Sequence, residues 1–500
     1  MKSKITLLSL LIMFPCLMNS QVQIGNDIDG EAVGDEFGRT VSLSFDGSII
    51  AVGAPENDGV NGSNSGHARV YQNTSNNWIQ IGDDIEGEAG SDSFGFAISL
   101  SSDGTILAVG AYRNDSNGTD SGHVRVFQNS GGSWVQIGAD INGEAAFDRF
   151  GYSVSLSSDG TILAVGAPFN NGAAGSNTGH VRIFENNSGT WTQIGSDIDG
   201  EAANDQSGFS LDLSSNGTIV AIGAPDNDGA GNGAGHVRIF QNVLGTWTQI
   251  GSDIDSNAGD IGFGNSVSLS SNGTIVALGS PDADGNGSNT GVTRVYQNIS
   301  NTWIQIGSDI SGEVAQDESG YKDAISLSSN GSIIAIGARF NDGANGAVSG
   351  NVRIFKNVSN AWTQVGSDID GEASNDQSGY CVDLSSDGTI VSVGAPFNSN
   401  ATGGGHARVY DLSNTLSIHD IAPNNHTVAF PNPTTSIFNI KAYTKIESIT
   451  VFNIVGQEVT HQQGIGSRSL NIDTSSFKSG TYFVNIQTAN FEKIIKMIKI

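Results

Sequence analysis

A single unit, repeated from residue 21 to about residue 412, constrains the fold of this chain more than any individual residue. Each copy has a glycine that follows Phe or Ser and precedes a short apolar run, and these glycines are Gly38, Gly95, Gly151, Gly208, Gly264, Gly320 and Gly379. Neighbouring copies are 56 to 59 residues apart. All six tryptophans occupy one position of the unit: Trp78, Trp134, Trp191, Trp247, Trp303 and Trp362. Such a period indicates one supersecondary module that is present seven times.

The residue pattern of each copy predicts four short strands. In the third copy, residues 153–157 alternate between polar and apolar side chains, as expected for a strand with one buried face, whereas residues 161–167 are almost continuously apolar. Residues 180–184 alternate again, and residues 191–195 form a short fourth run. An Asp-Gly or Asn-Gly pair separates the first two runs in every copy, and such pairs supply the positive φ angles of a tight hairpin. Four antiparallel strands per unit, with no helical apolar stripe, predict an all-β chain built from β-propeller blades.

The two ends of the repeat array complement each other. Residues 21–25 match the fourth strand, with Gln21 in the tryptophan position, whereas the last copy ends after its third strand near Asp411. Together these ends make one complete blade, which would close the ring and remove two free sheet edges. The sequence therefore predicts a seven-bladed β-propeller in which the N-terminal strand completes the last blade.

The remaining segments define the domain organisation. Residues 1–20 combine two lysines, an apolar run and Asn19-Ser20, which predicts a secretory signal peptide cleaved near Ser20. Residues 21–412 are the predicted propeller, residues 413–427 a linker, and residues 428–500 a small Ig-like β-sandwich. We expect no transmembrane span. Because Cys16 would leave with the signal peptide, Cys381 would be the only cysteine, and no intramolecular disulfide is expected.

Charge divides the chain at the end of the repeats. Residues 21–426 contain 13 Lys and Arg against 47 Asp and Glu, whereas residues 427–500 contain 7 against 4. So acidic a propeller would repel nucleic acid and anionic membranes, which excludes both as expected partners. Solubility in an extracellular, saline medium explains the charge most simply, and cation binding is the alternative.

The repeat resembles the FG-GAP family, whose propeller repeats also occur in integrin α subunits. Phe150-Gly151 and Gly166-Ala167-Pro168 carry the resemblance, with counterparts at Phe37-Gly38 and Gly53-Ala54-Pro55. The resemblance implies a propeller fold. Integrin-type repeats hold calcium in a loop between the first two strands, but here that place has only the two-residue Asp/Asn-Gly turn. The integrin calcium sites are therefore not carried over to this chain.

The last 73 residues are similar to the C-terminal sorting domain of type IX secretion in Bacteroidetes. The matching segments are residues 431–433 (PNP), residues 451–457 (VFNIVGQ), residues 479–484 (SGTYFV) and the lysine-spaced end at residues 493–499. The resemblance implies export across the outer membrane by the type IX machinery, which would recognise residues 428–500. It also implies removal of this domain, with release or surface attachment of the rest. An ordinary Ig-like binding module is the alternative.

Carboxylates recur in the loop that follows each fourth strand. One aspartate is present in all seven copies, and a glutamate four residues later is present in six, with Asn257 in the fifth. Calcium takes six to eight oxygen ligands, and this spacing offers several. Calcium is therefore the one cofactor that the sequence leaves open, with these candidate ligands: Asp27, Glu31, Asp84, Glu88, Asp140, Glu144, Asp197, Glu201, Asp226, Asp228, Asp282, Asp284, Asp309, Glu313, Asp368 and Glu372. The alternative is that these carboxylates cap backbone amides and pair with arginine.

Two basic residue types also recur, in the third strand. An arginine is present in all seven copies: Arg69, Arg125, Arg182, Arg238, Arg294, Arg353 and Arg408. Inside a strand of so acidic a protein, we interpret it as a structural partner of the recurring carboxylates, within or between blades. A histidine two residues earlier is present in five copies: His67, His123, His180, His236 and His406. Because one histidine per blade does not make a local zinc cluster, we expect these to form hydrogen bonds at the start of the strand.

The repeat pattern also bears on function. An active site is one asymmetric arrangement, whereas the prominent polar residues here recur five to seven times, so we expect no enzymatic activity. Strand direction places the acidic loop and the loop between strands two and three on one face, which we call the top face. Copies five and six deviate, for example at Lys322, Arg339 and Asn351, and these are positions where a specific site could lie.

We expect an exported binding or adhesion protein of the cell surface that recognises an extracellular protein or glycan through the acidic loops of the top face. The alternatives are an extracellular enzyme acting on polysaccharide and a structural component of a surface layer or matrix.

Overall fold

The structure is a computed structural model that describes residues 21–257, 260–399, 403–416, 427–430, 434–454, 456–488 and 492–500. The predicted signal peptide, residues 1–20, lies outside these ranges. The chain divides into two compact units between residues 416 and 417. Within the described ranges, no helix is long and apolar enough to cross a membrane.

Seven antiparallel sheets, which we number as blades one to seven, form the first unit. Their first strands are Thr40–Leu43, Ala97–Leu100, Ser153–Leu156, Ser210–Leu213, Ser266–Leu269, Ile325–Leu327 and Cys381–Leu384. Their second strands are Ile49–Ala54, Ile106–Ala111, Ile162–Ala167, Ile219–Ala224, Ile275–Ser280, Ile333–Ala338 and Ile390–Ala395. Their third strands are His67–Asn73, His123–Ser130, His180–Asn186, His236–Val243, Val292–Ile299, Asn351–Val358 and His406–Asp411.

The fourth strands form the outer edge of each blade. They are Trp78–Gln80, Ser133–Gln136, Trp191–Gln193, Thr246–Gln249, Thr302–Gln305 and Ala361–Gln364, with Val22–Gln23 serving blade seven. A two-residue strand follows each fourth strand and pairs with the start of the same third strand: Ile85–Glu86, Ile141–Asn142, Ile198–Asp199, Ile254–Asp255, Ile310–Ser311, Ile369–Asp370 and, for blade seven, Ile28–Asp29. The pairing of this two-residue strand with the start of the third strand places the acidic loop on the top face.

The N-terminal strand closes the ring. Val22 pairs with Asp411 and Gln23 pairs with Tyr410, so the first strand of the described chain becomes the fourth strand of blade seven. Ile28 then pairs with Ala407 in the same third strand. The predicted seven-bladed propeller, with its last blade completed by the N-terminus, is confirmed.

Close contacts between glycines set the distance between neighbouring blades. Gly166 is the last residue but one of the second strand of blade three, and Gly208 lies two residues before the first strand of blade four. A Cβ atom on Gly166 would overlap the Gly208 carbonyl oxygen. The same approach occurs at every boundary: Gly53 with Gly95, Gly110 with Gly151, Gly166 with Gly208, Gly223 with Gly264, Gly279 with Gly320, Gly337 with Gly379, and Gly394 with Gly38. The Phe-Gly step of one copy and the Gly-Ala-Pro step of the preceding copy are therefore two halves of one contact.

The apolar core lies between blades, and the tryptophans fasten its outer edge. One interblade cluster joins Val124 and Val126 of blade two to Leu163 and Val165 of blade three. Each indole N–H donates to a main-chain carbonyl of the preceding blade at 2.8–3.0 Å: Trp78 to Ile24, Trp134 to Ile81, Trp191 to Ile137, Trp247 to Ile194, Trp303 to Ile250, and Trp362 to Ile306. Gln21, in the tryptophan position of blade seven, donates to the Ser367 carbonyl at 2.5 Å.

Two rings of hydrogen bonds run around the central channel. At the bottom of the channel, one residue of each blade donates its backbone N–H to the carbonyl of the equivalent residue in the next blade, at 2.8–2.9 Å. These residues are Phe45, Ser102, Ser158, Ser215, Ser271, Ser329 and Ser386, and Ser386 donates back to Phe45. Higher in the channel, one side chain of each first strand accepts the N–H of a leucine in the next blade: Ser42, Ser99, Ser155, Asp212, Ser268, Ser326 and Asp383. Both rings are complete, so every blade is bonded to its neighbours at the axis.

In the described residues, one short helix, Ser413–Leu416, follows the last blade. It lies in the segment predicted as a linker, and Leu416 packs into the core between blades six and seven. The second unit has the strands Thr427–Phe430, Ile437–Asn453, Glu458–Asp473, Gly480–Thr488 and Glu492–Lys499. The long strand Ile437–Asn453 pairs with three of the others, and its side chains Phe438, Ile449 and Val451 form a core with Val484 and Met497. The prediction of an all-β chain with a C-terminal β-domain is confirmed.

We expect Gly166→Ala to reduce the free energy of unfolding of the propeller by about 3 kcal/mol, because the new methyl group would force blades three and four apart. Gly90→Ala is the control, because the nearest atom to its new Cβ would be 3.2 Å away and its φ is not in the left-handed region. Denaturant unfolding of the full chain, followed by tryptophan fluorescence, measures the effect. All six tryptophans lie in the propeller, so the signal does not include the C-terminal unit. Equal losses in both variants would contradict the close-contact interpretation.

Candidate functional site

The recurring charged side chains meet at the boundaries between blades. At the boundary of blades one and two, Glu88 comes from the loop after the fourth strand of blade one. His123 and Arg125 come from the third strand of blade two, and Asp140 from the loop that follows blade two. We call each such set of Glu, His, Arg and Asp an interface cluster. Five clusters contain all three possible metal-ligand types, with ligand atoms within 4.8 Å of one another: Glu31–His67–Asp84, Glu88–His123–Asp140, Glu144–His180–Asp197, Glu201–His236–Asp253 and Glu372–His406–Asp27.

A glutamine holds the recurring aspartate in each copy. The side-chain amide four residues earlier donates to the aspartate at 2.6–2.8 Å in all seven copies, for example from Gln136 to Asp140. The fourth strand supplies this glutamine, so the sheet itself fixes the position of the carboxylate. In blade three, Oδ1 of Asp197 accepts this bond and lies 3.9 Å from Nε of Arg182, whereas Oδ2 lies 3.8 Å from Nδ1 of His180.

The arginine lies between aromatic rings at the blade boundary. The Arg125 guanidinium is 5.2 Å from the Phe94 ring of the Phe-Gly step and 4.9 Å from the Phe127 ring. It also donates to the Glu86 carbonyl of blade one at 3.0 Å. The arginine therefore connects two blades. Its guanidinium plane packs against aromatic rings, and its N–H groups donate to the main chain of the neighbouring blade.

The arginine does not contact its carboxylates equally in all blades. Arg69 donates to Asp84 at 2.9 and 2.7 Å and also pairs with Glu31. Arg125 and Arg182 donate instead to the Oε1 atoms of glutamines, both at 3.1 Å. Their Nε atoms lie 3.8–4.0 Å from the nearest carboxylate oxygens. The clusters of blades two and three are therefore more open than the cluster of blade one.

The five histidines are buried, with side-chain exposures of 0–2 %. Neither ring nitrogen of His67, His123 or His406 has a hydrogen-bond partner among the described residues. The prediction that these histidines form hydrogen bonds at the start of the strand is therefore corrected for these three. Burial lowers the pKa of His67 and His123 to about 4, so both imidazoles are neutral at neutral pH. The even spacing of the histidines along the sequence gives no sign that each one lies near two carboxylates.

The other predicted calcium ligands lie outside these five groups. Asp309 pairs with Arg294 at 2.9 Å, and Glu313 accepts from Asn351, which replaces the histidine in copy six. Asp368 accepts from Gln364. Among the loop aspartates, Asp226 accepts from Gln206, and Asp228 and Asp284 accept backbone N–H groups of their own loops. Asp282 is half-buried, and desolvation raises its pKa. Calcium binding by any of the predicted ligands stays a prediction.

A buried aspartate that the sequence analysis missed fastens the acidic loop to the neighbouring loop. Asp148 accepts the Ala145 N–H at 3.0 Å and the Asn170 amide at 3.1 Å. The signal for this pair is its recurrence in six copies: Asp35 with Asn57, Asp92 with Asn114, Asp148 with Asn170, Asp205 with Asn227, Asp317 with Asn341, and Asp376 with Asn398. These carboxylates are buried supports of the top-face loops, because the Oδ2 atom of each accepts hydrogen bonds from local donors.

A second group of side chains lies at the top of the central channel, where the copies differ from one another. We call it the axial cluster. Arg39 lies over the Phe96 and Tyr380 rings at 4.8 and 5.1 Å, which connects blade one to blades two and seven. The cluster comprises Arg39, Phe96, Tyr112, Arg113, Arg149, Tyr152, Phe169, Phe209, Tyr321, Lys322, Arg339, Phe340, Tyr380 and Phe397. Lys322 and Arg339 are recognisable in the sequence as deviations from the repeat, whereas the aromatic rings around them become evident only in the structure.

Lys322 reaches across the channel mouth from blade six. Its ammonium donates to the Tyr152 carbonyl at 2.9 Å and lies 3.8 and 4.2 Å from the Tyr152 and Phe96 ring centres. Burial lowers the pKa of Lys322 to about 8. Aromatic faces and a carbonyl replace part of the water that the charged form loses, so the lysine can remain protonated at neutral pH.

The non-repeating cations of the propeller are concentrated in this cluster. Of the 13 Lys and Arg between residues 21 and 426, seven are the recurring arginines. Five of the other six belong to the axial cluster: Arg39, Arg113, Arg149, Lys322 and Arg339. Arg39 pairs with Glu36 at 2.5 Å and Arg339 with Glu318 at 2.7 Å. Among the described residues, Arg113 and Arg149 form no ion pair within 4.0 Å, and each lies against the Tyr112 ring, at 5.1 and 5.8 Å.

The channel below this cluster is a cavity of about 640 Å³ lined by the seven first strands. Asp212 and Asp383 are its most unusual polar groups, since the other five copies have serine at this position. Burial raises the pKa of both carboxyl groups to about 6. Each accepts a leucine N–H at 2.7 Å and a serine hydroxyl at 3.0 Å. Their hydrogen bonds therefore belong to the ring that joins the blades.

Two family models match the chain. The FG-GAP repeat model matches residues 27–71, 86–127 and 142–184, and the secretion system C-terminal sorting domain model matches residues 428–500. The chain carries FG-GAP repeats and a type IX sorting domain. This FG-GAP propeller is therefore exported by type IX secretion to the cell surface or beyond it, and residues 428–500 are the part that the secretion machinery recognises. A search of curated proteins gave no significant match.

Solved structures similar to the FG-GAP propeller chain share little sequence with it. The periplasmic gluconolactonase PpgL of Pseudomonas aeruginosa is 17% identical, with a TM-score of 0.46 over 67% of this chain and 85% of that one. PorZ of Porphyromonas gingivalis, described as a surface component of the type-IX secretion system, is 13% identical, with a TM-score of 0.43 over 95% of this chain and 60% of that one. The propeller domain of the Trilobed protease from Pyrococcus furiosus is 10% identical, with a TM-score of 0.45 over 78% of this chain and 99% of that one.

We expect the double variant Asp212→Ser, Asp383→Ser to be more stable than the parent at pH 8 by about 1 kcal/mol per site. A carboxyl group with a raised pKa binds its proton more tightly in the folded state. Its contribution to stability is therefore complete below the unfolded pKa and is lost as the pH rises through about 6. Serine already accepts the same N–H in five blades, which makes the replacement compatible with the ring.

The measurement is denaturant unfolding at pH 5 and pH 8, followed by tryptophan fluorescence of the full chain. The difference between variant and parent should be smaller at pH 5 than at pH 8. A difference that does not change with pH would show that the two carboxyl groups do not titrate in this range.

Proposed function

We propose that this chain is an exported binding protein of the cell surface, without enzymatic activity, and that its axial cluster recognises an acidic glycan. The observation that carries the proposal is the distribution of positive charge. In a propeller with 13 basic and 47 acidic residues, five of the six non-repeating cations meet at one place on the top face. Side chains that serve the repeat recur in every blade, whereas a specific site needs residues that do not.

Arg113 and Arg149 are the residues best placed to bind an anionic group. Both belong to the top face, on blades two and three, and their guanidinium groups lie 5.1 and 5.8 Å from the centre of the Tyr112 ring. Arg39 and Arg339 already have carboxylate partners, at 2.5 and 2.7 Å. A carboxylate or sulfate of a ligand would give Arg113 and Arg149 the bidentate partner that guanidinium groups favour.

Aromatic rings beside these arginines favour a sugar over a simple anion. Phe169 lies 4.4 Å below the Arg149 guanidinium and is half-buried, while Phe397 is 40% exposed on the opposite side of the cluster. A pyranose ring presents C–H groups on its face, and aromatic side chains can pack against that face while arginines bind the charged substituent. Acidic polysaccharides such as polyuronates combine both features.

The same cluster argues for binding without turnover. The two carboxyl groups whose pKa burial raises to about 6, Asp212 and Asp383, lie inside the channel, and each accepts an N–H from the next blade. Lys322 and its surrounding rings fill the channel mouth above them. A general acid must reach the bond that it protonates, so carboxyl groups in this position are poorly placed for hydrolysis of a polymer.

The acidic loops, which the sequence analysis expected to carry recognition, surround the axial cluster on the top face. The recurring aspartates of these loops accept hydrogen bonds from glutamine, from arginine in blade one, or from backbone N–H groups. We therefore assign them a supporting role in this proposal. Their negative charge would also restrict anionic ligands to the axis, where the cations are.

We expect Arg113→Gln together with Arg149→Gln to weaken binding of oligogalacturonate at least about tenfold, because each arginine would contribute a charge-assisted hydrogen bond. Lys356→Gln is the matched control: Lys356 is the one non-repeating cation outside the axial cluster, and it donates to the Leu416 carbonyl. Isothermal titration of the full chain, with a neutral galactan as the second ligand, gives the dissociation constants.

Three outcomes would contradict the proposal. One is equal affinity for the charged and the neutral glycan, and another is equal weakening by the control variant. The third is release of shortened or unsaturated sugar products during the titration, because it would restore the enzymatic alternative.

A further inference from the structure

The interface clusters of blades two and three have a geometry that neither the hydrogen bonds nor the ion pairs of the protein explain. His123 is fully buried, and neither of its ring nitrogens has a hydrogen-bond partner among the described residues. Its Nδ1 atom lies 4.0 Å from Oε2 of Glu88. Asp140 completes the group, with the three ligand atoms within 4.8 Å of one another. A buried imidazole without a partner loses the hydrogen bonds that water gives it in the unfolded chain, and this cost needs a compensating ligand.

Blade three repeats the arrangement with different distances. His180 Nδ1 lies 3.8 Å from Oδ2 of Asp197, and its Nε2 is buried without a partner among the described residues. Glu144 is the third member of the group. Separations of 3.8–4.0 Å are too long for direct hydrogen bonds. They agree with two ligands of one metal ion, because ligands about 2.1 Å from an ion lie about 3 to 4 Å apart.

The arginine leaves these two groups open. Arg125 and Arg182 direct their hydrogen bonds to Gln136 and Gln193 and to main-chain carbonyls of the preceding blade. In blade one, by contrast, Arg69 bonds Asp84 and pairs with Glu31, so its guanidinium already occupies the carboxylates. Blade one therefore provides an internal comparison, because it has the same Glu, His and Asp but its carboxylates are already bound by arginine.

The ligand set indicates the kind of ion. One imidazole nitrogen and two carboxylates match the ligand preferences of zinc and similar divalent transition metals, whereas calcium and magnesium favour oxygen-only sites. We propose that Glu88–His123–Asp140 and Glu144–His180–Asp197 each bind one divalent transition-metal ion of the zinc type. In each site the glutamate belongs to one blade and the histidine to the next, so the ion joins two blades.

Access and charge agree with this assignment. A cavity of about 510 Å³ between blades one and two is lined by Asp83, Asp84, Glu86 and Glu88 and extends to Arg125. It gives a hydrated cation a path to the first site. Two carboxylates outweigh the nearby guanidinium in each group, and the negative charge of the whole propeller attracts cations to the top face.

The chain itself supplies the test variants. Copies five and six have Val292 and Asn351 in the histidine position, so the fold accepts both residues there. We would compare the full chain with the double variant His123→Val, His180→Val and with the control His67→Val. Equilibrium dialysis against zinc, with metal analysis, gives the number of bound ions. Tryptophan fluorescence of each metal-free variant confirms that the propeller is folded.

We expect the double variant to bind two zinc ions fewer than the parent and the control to bind the same number as the parent. X-ray absorption at the zinc edge should show one imidazole per ion in the difference between parent and double variant. An unchanged zinc number in the double variant would overturn the proposal, as would complete competition by an equal concentration of calcium. Absence of zinc binding to the parent would overturn it too, and would leave water as the link between these side chains.

Discussion

The propeller depends on the seven places where the glycine backbones of adjacent blades touch. Two strands can approach this closely only where neither residue has a Cβ atom, and this approach lets the apolar second strands of neighbouring blades share one core. The tryptophan indoles at the outer edge and the two hydrogen-bond rings at the axis hold the same boundary at larger and smaller radius. Each blade boundary is thus held at three distances from the axis: by a pair of glycines, by a tryptophan or, at blade seven, Gln21 at the outer edge, and by two hydrogen-bond rings at the axis.

Repeating and non-repeating residues lie in different parts of the propeller. The carboxylates, glutamines and arginines that recur in the sequence are placed at blade boundaries, where every copy has the same need for a polar connection. Residues that differ between copies collect at the top of the channel, and six of them directly follow a Phe-Gly or Ser-Gly step: Arg39, Phe96, Tyr152, Phe209, Tyr321 and Tyr380. Seven equivalent positions with seven independent side chains can build an asymmetric site on a symmetric support.

Most of the fold could be predicted from the sequence, because its signals are local and repeated. The Asp-Gly turns fix the hairpins, and Gln21 in the tryptophan position revealed how the ring closes. The sites were less accessible, since their members come from different copies. Glu88 meets His123 only because the blade boundary brings them together, and Lys322 reaches the Tyr152 carbonyl across 170 residues of sequence. A count of histidines per blade could not show that each would face carboxylates from two loops.

The pairing of Val22–Gln23 with His406–Asp411 also imposes an order on folding. Blades one to six can each form from a continuous stretch of chain, so their contacts are local in sequence. Blade seven joins Val22 to Asp411, which are about 390 residues apart in the sequence. Closing this blade therefore carries the largest loop-entropy cost in the propeller. We therefore expect ring closure to follow the formation of the other six blades. A chain that lacks the third strand of blade seven would leave Val22–Gln23 without its partner strand, so the ring can close only when both ends of the repeat array are present.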